Sequence, residues 1–107
     1  MKNKAEEKNK VETLEKVQVN ISGQVQGVFY RVFIARKAKN LGVFGWVKNL
    51  DDGRVEAAFI GTKNQVNKMI KWCLQGPAGS KVQGIEKINE KSLSLKDREI
   101  KGFEIRY

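Results

Sequence analysis

A chain of 107 residues reads as one domain, able to bury roughly 60–65% of its unfolded surface. It contains no histidine and a single cysteine, Cys73, which excludes an internal disulfide and His-based triads and argues against zinc or copper centres. The formal net charge is +9 at pH 7, a balance that attracts anionic partners as a class.

Any chemistry must therefore run on arginine, lysine, asparagine, carboxylates, hydroxyls or backbone groups. No apolar run approaches the length of about 18 residues that a membrane helix needs. The lysine- and glutamate-rich start lacks the apolar centre of a secretory signal. With one cysteine, the expectation is a cytoplasmic protein.

Residues 1–15 form a charged tail expected to be disordered, because it offers too little apolar surface to offset the entropy of ordering. Its four lysines balance its four glutamates, so the expected domain, residues 16–107, carries the whole net charge. The alternation Val17-Gln18-Val19-Asn20-Ile21-Ser22 predicts a half-buried strand from about Lys16 to Gly23. The loop Gln24-Val25-Gln26-Gly27-Val28-Phe29-Tyr30 follows, and Arg31 to Leu41 has helical spacing, with Phe33 or Ile34, Ala38 and Leu41 on one face. Gly42 is the expected stop. A helix that starts at a glycine-containing loop offers unpaired N–H groups to an anion, and Arg31 adds a forked donor suited to phosphate.

Strand two, Val43 to Leu50, meets strand three, Arg54 to Gly61, across Asp51-Asp52-Gly53, a hairpin signal. Thr62 and Gln65 form a capping box for helix two, whose stripe of Val66, Met69, Ile70 and Cys73 predicts burial and makes Cys73 core filler rather than nucleophile. Trp72 lies off that stripe. Gly76-Pro77 ends the helix, and Gly76 to Lys81 lacks the order of a nucleotide loop. Val82 to about Leu95 predicts a further strand, Lys96 to Lys101 a polar turn, and Phe103 to Tyr107 a short terminal strand. The expected fold is α+β: a ferredoxin-like βαββαβ sandwich, with two helices on one face of an antiparallel sheet plus the short C-terminal strand.

Gly23-Gln24-Val25-Gln26-Gly27-Val28-Phe29-Tyr30-Arg31, followed by Gly45-Trp46-Val47-Lys48-Asn49 and Asp52-Gly53-Arg54-Val55-Glu56, resembles acylphosphatase. The likeness continues through Gly76-Pro77 and Phe103 to Tyr107 and covers about residues 16–107. Tyr30 departs mildly, since phenylalanine or glycine often precedes the arginine. The resemblance implies hydrolysis of the carboxyl-phosphate bond of small acyl phosphates, without metal or organic cofactor. By motif position, Arg31 and the N–H groups of Gln24, Val25, Gln26, Gly27, Val28, Phe29 and Tyr30 would bind the phosphoryl group. Asn49 would orient the attacking water. If the terminal strand runs beside strand two, the Tyr107 carboxylate comes within reach of Arg31.

The expected partners are an acyl phosphate substrate and inorganic phosphate as product, with a monomer, no membrane and no nucleic acid. RNA-recognition domains share the topology, and Gly42 to Lys48 has a likeness to one of their motifs. That motif belongs on the third strand, however, and strand one lacks stacking aromatics. Acylphosphatase-like domains also occur within hydrogenase maturation proteins; with no zinc-finger cysteines and an end at Tyr107, the free-standing enzyme is expected.

Overall fold

In the computed structural model, which describes residues 13–27, 29–94 and 101–107, alternation in the first strand decides the layering. The elements run β1 (Thr13–Gln24), α1 (Tyr30–Leu41), β2 (Phe44–Asn49), β3 (Val55–Gly61), α2 (Lys63–Gln75), β4 (Lys81–Ser94) and β5 (Phe103–Arg106). The sheet order is β4-β1-β3-β2-β5. All pairings are antiparallel except β2 with β5, which is parallel. The fifth strand thus makes a mixed sheet out of the antiparallel one expected, within the same ferredoxin-like α+β arrangement.

Val17, Val19 and Ile21 of β1 stand opposite Phe59, Ala57 and Val55 of β3. Gly45, Val47 and Asn49 of β2 continue the same three rows. With side chains alternating across a strand, all nine share one face, and α1 and α2 cover it. Tyr30, Ile34 and Ala38 of α1 and Val66, Met69 and Cys73 of α2 complete the core. Ile34 rather than Phe33 therefore occupies the inward position on α1. Phe103 of β5 stacks on Phe59 with ring centroids 6.0 Å apart. Gly45, between them in register, has no room for a Cβ, which would strike the Ala58 carbonyl.

The first strand begins earlier than expected. Thr13, Leu14 and Glu15 pair with Ser94, Leu93 and Ser92 of the long β4, and Leu14 is buried. The remainder of the charged tail and most of the expected polar turn, residues 95–100, lie outside the described residues. Between β2 and β3, Gly53 donates its N–H to the Leu50 carbonyl and Leu50 donates to Arg54, closing a three-residue loop with Gly53 in the left-handed region. The capping box of α2 forms as expected: Thr62 Oγ1 accepts from the Gln65 N–H at 3.2 Å, and Gln65 Oε1 accepts from the Thr62 N–H at 2.9 Å.

Tyr30 hydroxyl donates to the Cys73 carbonyl at 3.0 Å, joining the two helices inside the core. Burial raises the Tyr30 hydroxyl far above its ordinary range and pushes the Cys73 thiol up to about 12 from 9.0. Both groups hold their protons more tightly in the folded chain than in the unfolded one, so their contribution to stability is complete below the unfolded values and declines as the pH climbs through the folded ones. Urea midpoints should fall steadily from about pH 9 toward about pH 12, and Tyr30→Phe should flatten that slope. The Cys73 thiol should resist alkylation in the native protein near neutral pH and react once the chain is unfolded.

Candidate active site

At one end of the helix-covered face, the loop after β1, the start of α1, the end of β2 and the end of β5 enclose a cleft of about 320 Å³. Its walls include Val25, Gln26, Gly27, Tyr30, Arg31 and Asn49, with Phe29, Val32, Ile105 and Tyr107 at the apolar side. The candidate residues Arg31 and Asn49 thus face one hollow.

The loop reaches this position through two glycines with different reasons. At Gly23, a β-bulge breaks the β1–β4 register and a Cβ would strike the Lys81 carbonyl. At Gly27, a Cβ would meet nothing within 4 Å, but φ is +74°, so conformation rather than space selects glycine. Phe29 then takes φ 60° and ψ 23°, the only non-glycine residue in the left-handed region among those described. A bulky residue there is strained.

The helix begins under unusual terms. Phe29 at its cap makes no side-chain capping bond, no acidic residue lies in the first turn, and Arg31 lies there instead. First-turn N–H groups have no intrahelical acceptor, and the positive end of the helix dipole disfavours a cation. Arg31 is held from the other side by β5. Its Nη1 donates to the Arg106 carbonyl at 3.1 Å, and its guanidinium lies 4.8 Å from the centroid of the Tyr107 ring. The terminal strand does run beside β2 as anticipated, but the contact made with Arg31 is through the Tyr107 ring rather than its carboxylate.

Asn49 ends the row Ile21–Val55–Asn49 on the inner face. It therefore occupies a position where alternation calls for an apolar side chain. Its Oδ1 is buried and accepts no hydrogen bond from the protein, a state that favours taking a donor from a bound molecule. Asn20 Oδ1 is also buried and unpartnered, but Asn20 alternates onto the opposite face of the sheet, away from the cleft.

The expected loop residues divide. Gln24 closes β1 opposite Lys81 and is not part of the cleft lining. Val25 is buried in the core. Val28 lies outside the described residues. Tyr30 contributes its backbone to the helix start while its side chain enters the core, so its departure from the family pattern buttresses the loop from behind. Gln26 does something the sequence did not signal. Its Nε2 donates to the carbonyls of Leu50 at 2.8 Å and Arg54 at 2.9 Å, clamping the loop to the hairpin immediately beyond Asn49. Ile105 was missed as a lining residue, and Tyr107 was anticipated only through its carboxylate; their parity with inward-facing Phe103 was the available clue.

Among the described residues no cluster of three or more His, Cys, Asp or Glu side chains is arranged to hold a metal ion, and no helix is long and apolar enough to cross a membrane.

A family model described as Acylphosphatase matches residues 17–105. The acylphosphatase of Rubrobacter xylanophilus is 46% identical over 92 residues, 86% of this chain and 80% of that one. The acylphosphatase of Haloquadratum walsbyi is 45% identical over 96 residues, 89% of this chain and 97% of its own. The crystal structure of the Bacillus subtilis acylphosphatase superposes with a TM-score of 0.75 at 32% identity, covering 87% of this chain and 99% of that one. The chain belongs to the acylphosphatase family, whose function is the hydrolysis of acyl phosphates.

Proposed function

We propose that the cleft binds the phosphoryl group of an acyl phosphate between the Arg31 guanidinium and N–H groups of the loop and first turn of α1, and that Asn49 aims the water that attacks phosphorus. The observation that carries this reading is the buried, unpartnered Oδ1 of Asn49 in the same hollow as Arg31. A carboxamide there accepts a hydrogen from water and leaves a water lone pair free for phosphorus.

The reaction suits these groups. Water forms a bond to phosphorus as the bond to the carboxyl oxygen breaks, and the electron pair leaves on a carboxylate that needs no strong general acid. Catalysis of phosphoryl transfer rests on alignment and on stabilising charge on the equatorial oxygens. Arg31 and the amide hydrogens serve the charge, and Asn49 serves the alignment. Asparagine is a poor base, so the water's proton passes to a phosphate oxygen. Gln26 keeps the loop and the hairpin at a fixed separation, and with it the phosphoryl site and Asn49. The enzyme acts as a monomer in the cytoplasm on this reading, in keeping with its unpaired, buried Cys73.

Arg31→Ala should abolish phosphate binding together with turnover. In thermal melts, phosphate at a hundred times its Kd should stabilise the parent by about 2.7 kcal/mol and leave Arg31→Ala unmoved. Arg31→Lys should remain severely impaired, because a point charge cannot chelate two oxygens. Asn49→Ala should keep the phosphate-induced stabilisation while losing on the order of 10²-fold or more in kcat; normal turnover would remove its role. Gln26→Leu removes the second donor from two carbonyls that each keep a backbone partner and should lose about 0.5–1.5 kcal/mol of stability per lost hydrogen bond, with kcat falling as the two halves of the site loosen. Benzoyl phosphate hydrolysis, compared with p-nitrophenyl phosphate as the monoester control, reads out every variant.

A further inference from the structure

The charges of this chain are sorted between its two layers. Neither helix contains an aspartate or glutamate, yet together they carry Arg31, Arg36, Lys37, Lys39, Lys63, Lys68 and Lys71. Among the described residues, none of these seven lies in an ion pair, whereas in the strands and their hairpin Lys48, Arg54, Lys87 and Arg106 are paired with carboxylates and only Lys16, Lys81 and Lys91 are not. The helix layer is thus a bare cationic surface, and the sheet layer is largely neutralised.

That surface has a shape. Two adjoining shallow clefts of about 280 and 260 Å³ share Lys37 and Trp72. Phe33, Arg36 and Asn40 border one, and Lys68, Lys71 and Gln75 border the other. The Arg36 guanidinium lies 5.6 Å from the centre of the Phe33 ring. None of these residues lines the catalytic cleft.

We infer that the groove between α1 and α2 binds single-stranded nucleic acid, with Arg36, Lys37, Lys68 and Lys71 on its phosphates and the half-buried Trp72 against a base. Uncompensated cations interleaved with aromatic faces are the combination that tracks a flexible polyanion without reading its sequence. A flat anionic membrane fits less well, because Trp72 is half-buried against the core and lines the clefts. The sheet face remains unsuited to RNA: its Trp46 is already covered by Arg106 at 4.8 Å and Lys48 at 5.8 Å.

The test uses a fluorescein-labelled oligouridylate of about twelve nucleotides and the full chain. Binding should weaken with salt along a log–log slope of about −2 to −3, the response to three or four neutralised single-strand phosphates. Lys37→Glu/Lys71→Glu should weaken it more than tenfold while leaving benzoyl phosphate hydrolysis at the parental rate. In Trp46→Phe, which leaves Trp72 as the sole tryptophan, the oligonucleotide should quench fluorescence. Saturating inorganic phosphate, compared with chloride at the same ionic strength, should not displace it. The proposal is overturned by absent binding at low salt, by equal binding to the charge-reversed variant, by unquenched Trp72, or by displacement with phosphate, which would put the polyanion in the catalytic cleft. Binding to phosphatidylserine vesicles without binding to the oligonucleotide would overturn it as well.

Discussion

A helix whose first turn lacks an internal partner must find one outside itself, and that requirement organises this molecule. The contrast between the two helices of the same chain makes the point. At α2, Thr62 and Gln65 satisfy the exposed donors reciprocally, the arrangement expected where stability alone is selected. At α1 the cap is a strained phenylalanine with no capping bond; both helices have a cation and no acid in the first turn, but only α1 lacks a side chain to take up its exposed donors. Each of these choices is unfavourable for an empty helix terminus, and each becomes favourable around a dianion. The start of α1 is thus left with donors that its own chain does not satisfy, which is what the proposed phosphoryl site draws on.

The sheet supplies the second constraint. Because side chains alternate, the pairing of Asn49 with Val55 and of Val55 with Ile21 fixes the carboxamide on the covered face. A slip of one residue would carry it to the other face and bring Lys48 inward. Register is in turn secured by the Asp51–Gly53 loop, and the loop's flanking carbonyls are the ones that Gln26 grips. The loop around Gly27 and the strand end at Asn49 are therefore parts of one braced unit, although 22 positions separate Gly27 from Asn49. Arg31 is fixed independently, from β5.

Much of this was legible in the sequence because local rules and tertiary outcome agreed. The alternation of Val17, Val19 and Ile21, the capping box at Thr62 and the turn at Asp52-Gly53 each carry their own signal within a few residues. The same locality explains what stayed hidden. Whether Phe33 or Ile34 faces inward depends on the phase of α1 against the sheet, which no helical period alone determines. Leu14 is buried because β4 extends to meet it, a fact absent from the polar residues around it. Gln26 looked like one more loop residue; its brace depends on two carbonyls from a distant hairpin. The Tyr107 ring, not its carboxylate, met Arg31, since only the exit direction of β5 decides which part of a terminal residue is presented.

The separation of charge between the layers bears on what the fold is able to tolerate. Seven cations on two adjacent helices repel one another, and surface ion pairs would have relieved that repulsion at little structural expense, as the strands demonstrate with their own four pairs. Ion pairs on an exposed face stabilise by only about 0–1 kcal/mol each, so stability gives weak pressure toward placing carboxylates there. A field of one sign, by contrast, acts over about a Debye length of 8–10 Å and raises the local concentration of any anion approaching that side of the molecule. Since Arg31 begins the same helix that carries Arg36, Lys37 and Lys39, groove and cleft share one positive side of the molecule, but the groove's lysines do not line the cleft, so charge reversal among them acts on a polyanion along the groove and leaves the groups around the cleft as they are.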